Sequence, residues 1–394
     1  MKHLHTITGI TVLLLIGACK KEYISADPIS CPAQYDNHTK NTEFQAIVDR
    51  YFDAGLPGIS VLIHTPEEGF WEGSAGFANI EDQVPMTPCH IHYAASISKS
   101  FTAVAILQQV EQGIISLDSR IEGYLDEEIR GYIPNSEKLT IRHLLSHTSG
   151  LPDVIDIDFI TNFFNDPGHY YSLEEILSLL DGKEALAEPG AEFFYADANF
   201  ILLALILDRI TGDHLAVFQE NIFIPLGLEN TTYEYTINHN TVDDLVSAYI
   251  DTYSDGSLEN VTDWEDAITS YLKGSGGMTT NSYDLAMFIQ GVFDHSLVTD
   301  ETLEMIRSDT VHNPLADQWM NDSYSLGFMV IHDAYGTWYG HAGRDPGAAG
   351  YMFYNPEHQV TLVAMTNIST FFSQHYTRLF YGELWTDLCD AIFK

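Results

Sequence analysis

Hydrophobic and polar positions along the chain change their period twice. Glu43 to Ala54 reads as a helix. Gly58-Ile59-Ser60-Val61-Leu62-Ile63-His64 reads as a strand, and Gly69 to Phe77 as its partner after an acidic turn. Ser96 to Gln112 predicts a helix, with Gly113 as its stop. From there to about Phe293 helical patterns and loops dominate. Strand patterns return at Tyr324–His332, Gly336–Gly340, Gly350–Asn355 and Gln359–Asn367, and a helix from Phe371 to Phe393 closes the chain. Strands near both ends around a helical middle imply an α/β fold: a sheet lobe built from both termini, with an inserted helical lobe.

Ahead of these elements lies a different pattern. Met1-Lys2 is a short basic start and Ile7 to Ala18 is apolar, too short for an ordinary membrane span. It ends Leu15-Ile16-Gly17-Ala18-Cys19, which resembles a bacterial lipobox. That implies removal of residues 1–18, lipidation of Cys19, and a lipid-anchored protein of the bacterial cell envelope, periplasmic or surface-facing. Residues 19–41 contain Pro28 and Pro32 and few apolar positions, and read as a tether. The rest of the 394-residue chain is rich enough in apolar residues, 45% overall, for a full core. A formal charge of −39 argues against nucleic acid as a partner and against direct adsorption to anionic lipid, so the lipid does the anchoring.

Chemistry enters at Ser96-Ile97-Ser98-Lys99, just before the apolar run Val104-Ala105-Ile106-Leu107. A serine and a lysine three apart share one face of a helix, and a lysine there can take the serine proton. Two further motifs follow in order. Phe194-Tyr195-Ala196-Asp197-Ala198-Asn199 sits between Pro189-Gly190 and the apolar run Ile201 to Leu207. Gly340-His341-Ala342-Gly343-Arg344 sits before a Pro346-Gly347 turn.

Taken together the three motifs resemble the serine β-lactamase and penicillin-binding-protein superfamily, in particular its class C β-lactamase and D-stereospecific peptidase and esterase branch. Leu139 to Pro152, Gly276 to Leu285 and Tyr324 to Phe328 look like non-catalytic segments of the same branch. The resemblance runs from about Phe44 to the C-terminus. It implies an antiparallel sheet flanked by the N- and C-terminal helices. The sheet lobe would span about 42–88 and 297–394 and the helical lobe about 89–296. The active site would lie in the cleft between them, with Ser96 at the floor and His341 on an edge strand. Ser96 would be the nucleophile, Lys99 the general base and Tyr195 the general acid/base. The backbone N–H groups of Ser96 and Arg344 would hold the oxyanion. Small Ala342 and Gly343 would let substrate lie against the strand. His341, in the family's lysine position, would grip a substrate carboxylate when charged, with Arg344 as a second candidate for that role.

Two residues depart from the pattern. Asp197 stands where the branch has asparagine; as a carboxylate it would hold Lys99 protonated, and Asn199 is the alternative source of an amide. Ala342 removes a hydroxyl donor. Both loosen the fit to a penicillin carboxylate. The implied reaction is hydrolysis of a small amide or ester through a Ser96 acyl-enzyme, with D-alanyl-D-alanine-type peptides first among substrates. A class C-like β-lactamase, a carboxylesterase, and a covalent sensor of β-lactams or peptidoglycan that does not turn over remain as alternatives. Neither cofactor nor metal is expected, and the protein is expected to be a monomer.

Other polar clusters read as structural. His143 and His147 lack the acidic partner of a zinc motif, and His90 and His92 are in the same position. Asp153, Asp156 and Asp158 read as a solvated acidic loop. Besides Cys19 the chain has Cys31, Cys89 and Cys389. The resemblance, which packs the terminal helices together, implies Cys31–Cys389 as the bridge.

Overall fold

The computed structural model describes residues 37–394 apart from 167–168, 234–241, 243 and 317–319. The expected signal segment, Cys19 and most of the tether, including Cys31, therefore lie outside the described residues.

One large sheet organises the chain. Its strands, in sequence order, are β1 (Gly58–Thr65), β2 (Gly69–Asn79), β3 (Val84–Pro85), β4 (Val311–His312), β5 (Ser323–Ser325), β6 (Phe328–Asp333), β7 (Gly336–Arg344), β8 (Ala349–Asn355) and β9 (Val360–Thr366). They lie side by side as β3-β2-β1-β9-β8-β7-β6-β5-β4, and every pair is antiparallel. The first and last thirds of the sequence meet at the β1–β9 ladder, where Val61 faces Ala364. The strands of β1 and β9 are buried on both faces, which is why they read as near-continuous apolar runs.

Helices cover both faces. On one side α1 (Asn41–Asp53) buries Phe44, Ile47, Val48 and Tyr51, the i, i+3, i+4, i+7 stripe of an amphipathic helix. It packs beside the C-terminal α5 (Trp385–Phe393), to which Arg50 and Tyr51 are tied through Asp387 at 2.6 and 2.5 Å. On the other side lies the helical region. Its centre is α2 (Ser98–Glu111), buried from Ser98 to Gln109 and therefore without a solvent-facing stripe along that length. Against it pack α3 (Asp197–Thr211) and α4 (Ser282–Phe293), Phe101 stacking on Phe288.

Several expectations are corrected. The strand expected over Tyr324–His332 is two strands, because Gly327 adopts φ +87° and sits where a Cβ would meet the Ala103 Cβ of α2. Strand β7 runs past Gly340 to Arg344. The closing helix begins at Gln374, not Phe371, and passes through a wider turn at Arg378–Leu384. The helical region also carries a small sheet of His92–Tyr93, Met278–Thr280 and Thr232–Tyr233. Finally, Cys389 keeps a free thiol, buried on α5 against the sheet, whereas Cys89 is disulfide-bonded. The Cys31–Cys389 bridge is therefore not formed: Cys389 points into an apolar core, where burial pushes its thiol pKa up.

Candidate active site

The turn that carries Ser96 is strained. Ala95 adopts φ +50°, a left-handed conformation that costs a residue with a side chain about 1 kcal/mol or more. It opens the short helical turn Ala95–Ile97, which runs directly into α2. Strand β7 presses against this turn. A Cβ on Gly343 would lie 2.5 Å from the Ala94 carbonyl oxygen and 3.1 Å from the Ser96 nitrogen. The small residue expected to admit substrate at Gly343 thus admits the Ser96 turn itself.

Lys99 is fully buried one turn into the helix. Its Nζ donates to Ser96 Oγ at 3.0 Å, to Asp197 Oδ1 at 2.6 Å and to the Ser275 carbonyl at 2.8 Å. Three acceptors match the three N–H bonds of an ammonium. Nζ also lies 5.0 Å from the centre of the Tyr195 ring.

Tyr195 reaches the site from the loop before α3. Its ring stacks on His147 at 4.2 Å, and its hydroxyl hydrogen-bonds Ser96. Burial first, and the Asp197 charge second, push its pKa well above the ordinary tyrosine value, against the Ser96 hydrogen bond, so it is a phenol. His147 holds this loop together. Its Nδ1 accepts the Ala196 N–H at 3.2 Å and faces the Asn199 amide at 2.9 Å, while its carbonyl accepts the Phe194 N–H. Burial keeps it neutral.

Asp197 opens α3, where a carboxylate is favoured by the helix dipole. Its own N–H donates to Asp153 Oδ1 at 3.1 Å. Asp153 is therefore not part of a solvated loop: it lines the site, and burial, followed by the Asp197 charge, raises its pKa to about 7. Asp156 caps the next helix and pairs with Lys183 at 2.6 Å.

The remaining candidates divide. Asn199 is fully buried, its oxygen accepting from Ser149 Oγ at 2.6 Å and its nitrogen facing His147, so it offers no amide to a substrate. His341 is also fully buried. Its Nδ1 donates to the Ala342 carbonyl at 2.6 Å and its Nε2 accepts from the Tyr324 hydroxyl at 3.0 Å. Burial, with Lys99 nearby, pushes its pKa down to about 3. The imidazole is neutral and props Tyr324; it is not the cation expected to grip a carboxylate.

Ala342 and Arg344 do face the site. Pairing of β6 with β7 ends at Met329–Gly340, so the last four residues of the otherwise interior strand β7 form an open edge. Asp345 N–H bonds the Ala348 carbonyl, and by the alternation of an antiparallel ladder Arg344 N–H points the other way, to the open side. The Arg344 guanidinium lies over the Tyr381 ring at 4.6 Å.

These groups open on a cavity of about 380 Å³, the size of a small-molecule site. Ser96, Tyr195 and the carboxyls of Asp153, Asp197 and Asp345 form one end; Phe159, Phe163, Ile268 and Tyr271 form an apolar wall. Phe371 and Phe372, 55% and 50% exposed, stand at its lining. Sequence reasoning missed Asp345, Ser275 and the part played by His147. All three lie in or beside the motifs above: Asp345 directly after Arg344, Ser275 before Gly276-Gly277, and His147 within Leu139 to Pro152.

A serine bonded to a buried lysine, with a tyrosine hydroxyl on the same oxygen and an apolar-walled cavity beside it, is the arrangement of a serine acyl-transfer site. The chain belongs to the beta-lactamase family, whose model matches residues 44–381. Among curated relatives it is 27% identical to penicillin-binding protein 4* of Bacillus subtilis, over 75% of this chain and 64% of that one. It is 25% identical to protein flp of Staphylococcus aureus, over 83% of this chain and 63% of that one. The chain thus spans less than two thirds of the length of these relatives. Among solved structures, D-amino acid amidase from Ochrobactrum anthropi superimposes with a TM-score of 0.79 at 22% identity, covering 89% of this chain and 98% of that one. A penicillin-binding protein from Bacillus halodurans gives 0.72 at 25% identity, covering 89% and 99%. The antiparallel sheet with flanking helices is the fold of that superfamily.

Proposed function

We propose that the protein hydrolyses small amides or esters of D-configured amino acids through an acyl-enzyme on Ser96. The observation that carries this is the contact set of Lys99, bonded at once to Ser96 Oγ and to Asp197. Ser96 Oγ attacks the carbonyl carbon while its proton passes to Lys99, as Lys99 hands one of its own to Asp197. The oxyanion sits on the N–H groups of Ser96 and Arg344. Tyr195, a phenol, gives its proton to the leaving group and recovers one from Lys99. Water then attacks the Ser96 ester; one of its protons passes through Lys99 to Ser96 Oγ as the acid departs, and Asp197 returns its proton to Lys99.

The substrate class rests on the cavity. The neutral His341 and the Arg344 guanidinium over Tyr381 favour a substrate without a carboxylate at that position over a penicillin or a D-alanyl-D-alanine terminus. The likeness to a D-amino acid amidase supports the same direction. The Leu15 to Cys19 sequence supports export and anchoring by lipid at Cys19.

Intact mass against time tests the reading, with the full chain mixed with D-phenylalanine methyl ester or benzylpenicillin. A D-phenylalanyl adduct that forms and clears, maps to Ser96 and is absent in Ser96→Ala is the expected result. A persistent penicillin adduct with no D-phenylalanyl adduct would make it a penicillin-binding protein. A penicillin adduct that clears with product would make it a β-lactamase. The same spectra of protein taken from membranes show whether residues 1–18 are gone and Cys19 carries lipid.

A further inference from the structure

Three carboxyl groups face the cavity that holds Ser96, and two of them are committed. Asp197 takes the Lys99 ammonium at 2.6 Å. Asp153 Oδ1 accepts the N–H groups of Val154, Ile155 and Asp197. Asp345 differs. It is 6% exposed, it lines the cavity, and among the described residues no hydrogen-bond donor reaches its carboxyl. Its backbone is fixed, the N–H on the Ala348 carbonyl and its own carbonyl accepting from Ser369 Oγ. Burial raises its pKa to about 8; Asp197 adds to that and Lys99 opposes it. The cations of this wall are already engaged, Lys99 by Asp197 and the Arg344 guanidinium over Tyr381. A buried acid without a donor destabilises the chain that holds it, unless a ligand supplies the donor.

We propose that Asp345 recognises a substrate ammonium, so that the acyl group carries a free amine on the carbon beside the scissile carbonyl. This rests on the Ser96 acyl-enzyme reading and narrows its substrate. Asp345 follows Arg344, whose N–H faces the open side of β7, and consecutive Cα atoms are about 3.8 Å apart. In an amino-acyl group the amine is bonded to the carbon next to the carbonyl. A carbonyl oxygen seated at Arg344 N–H therefore brings the amine beside Asp345. The apolar wall at Phe159, Phe163 and Tyr271 takes the side chain, and about 380 Å³ suits one aromatic or branched residue. Amides and esters of free apolar amino acids, and the first residue of short peptides, are the class. An N-acylated amine loses the positive charge that favours the ionised form of Asp345.

The test is steady-state hydrolysis of D-phenylalanine para-nitroanilide and its N-acetyl derivative by the full chain, wild type and Asp345→Asn. Wild type should favour the free amine in kcat/KM by roughly tenfold or more, the worth of one charge-assisted hydrogen bond. In Asp345→Asn that preference should collapse through a rise in KM. A wild-type ratio near one, or the same ratio in both proteins, overturns the proposal. Competition on wild type decides even if Asp345→Asn does not fold. Phenethylamine should inhibit about tenfold more tightly than phenethyl alcohol, and equal inhibition overturns the proposal. Acylation of Ser96 by the nitrophenyl ester of phenylpropionic acid is followed in parallel. Acylation without any amine preference removes the ammonium site alone. No acylation by any of these substrates removes the acyl-enzyme reading, and this proposal with it.

Discussion

Asp197 is the residue on which the chemistry turns. An asparagine there would leave Lys99 Nζ with the Ser96 oxygen and the Ser275 carbonyl but no carboxylate. The lysine would then lose both its counter-charge and the acceptor to which its proton moves. Asp197→Asn is expected to lower kcat for an ester by about 10²–10⁴, the worth of one proton-transfer group, with KM little changed. Stopped-flow acylation measures it. A kcat that is kept or raised would show that the relay ends at Lys99. His341 teaches the opposite lesson at this scale. It has the family position and the residue type for a cation, yet burial and Lys99 hold its pKa near 3.

Among the elements, the contact of β7 with the Ser96 turn matters most. Gly343 is required there by approach, not by φ: a Cβ would meet backbone oxygen at 2.5 Å, and backbone cannot swing aside as a side chain can. Gly343→Ala is expected to push β7 off the turn. That costs about 1–3 kcal/mol in overpacking and moves Arg344 N–H away from Ser96. A shift of about 1 Å in such a donor lowers kcat/KM roughly 100-fold. Gly382→Ala, at a position with open space around it, is the control and should change neither stability nor rate. Thermal unfolding and ester hydrolysis on both variants check this. An active Gly343→Ala would remove Arg344 N–H from the oxyanion site.

For the whole molecule, buried titratable groups link stability to pH in two directions. Asp345 is raised in the folded chain to about 8 from an ordinary 3.8. The unfolded chain releases that proton first, so stability is lost as pH rises from about 4 through 8, by at most about 1.4 kcal/mol per pH unit. His92 and His341 are lowered to about 3 from 6.5. The unfolded chain takes up those protons first, so stability is lost as pH falls from about 6.5 toward 3. Asp345→Asn removes only the first effect. Its unfolding temperature should exceed that of wild type by a margin that grows from pH 5 to pH 9; a margin constant with pH would place the Asp345 carboxyl in water.

The sequence by itself determined what depends on neighbours along the chain. Short apolar runs in Gly58–His64 and Gln359–Asn367 marked strands β1 and β9, because burial on both faces leaves such a run rather than an alternation. Ser96 and Lys99 were legible as a pair because three residues along a helix bring two side chains together whatever surrounds them. Tyr195 and Asp197 were legible as candidates through their place before an apolar helix. Tertiary structure decided the rest, because charge state and access depend on groups far away in sequence. Lys99 meets Asp197 across 98 residues and Ser275 across 176. No spacing rule shows that Asn199 is consumed by Ser149 and His147, or that Cys389 stays a free thiol in the core. Nor does any spacing set Asp345 on the cavity wall without a donor among the described residues. Desolvation belongs to the packed molecule, and it made His341 a neutral prop and Asp345 an acid with an unmet partner.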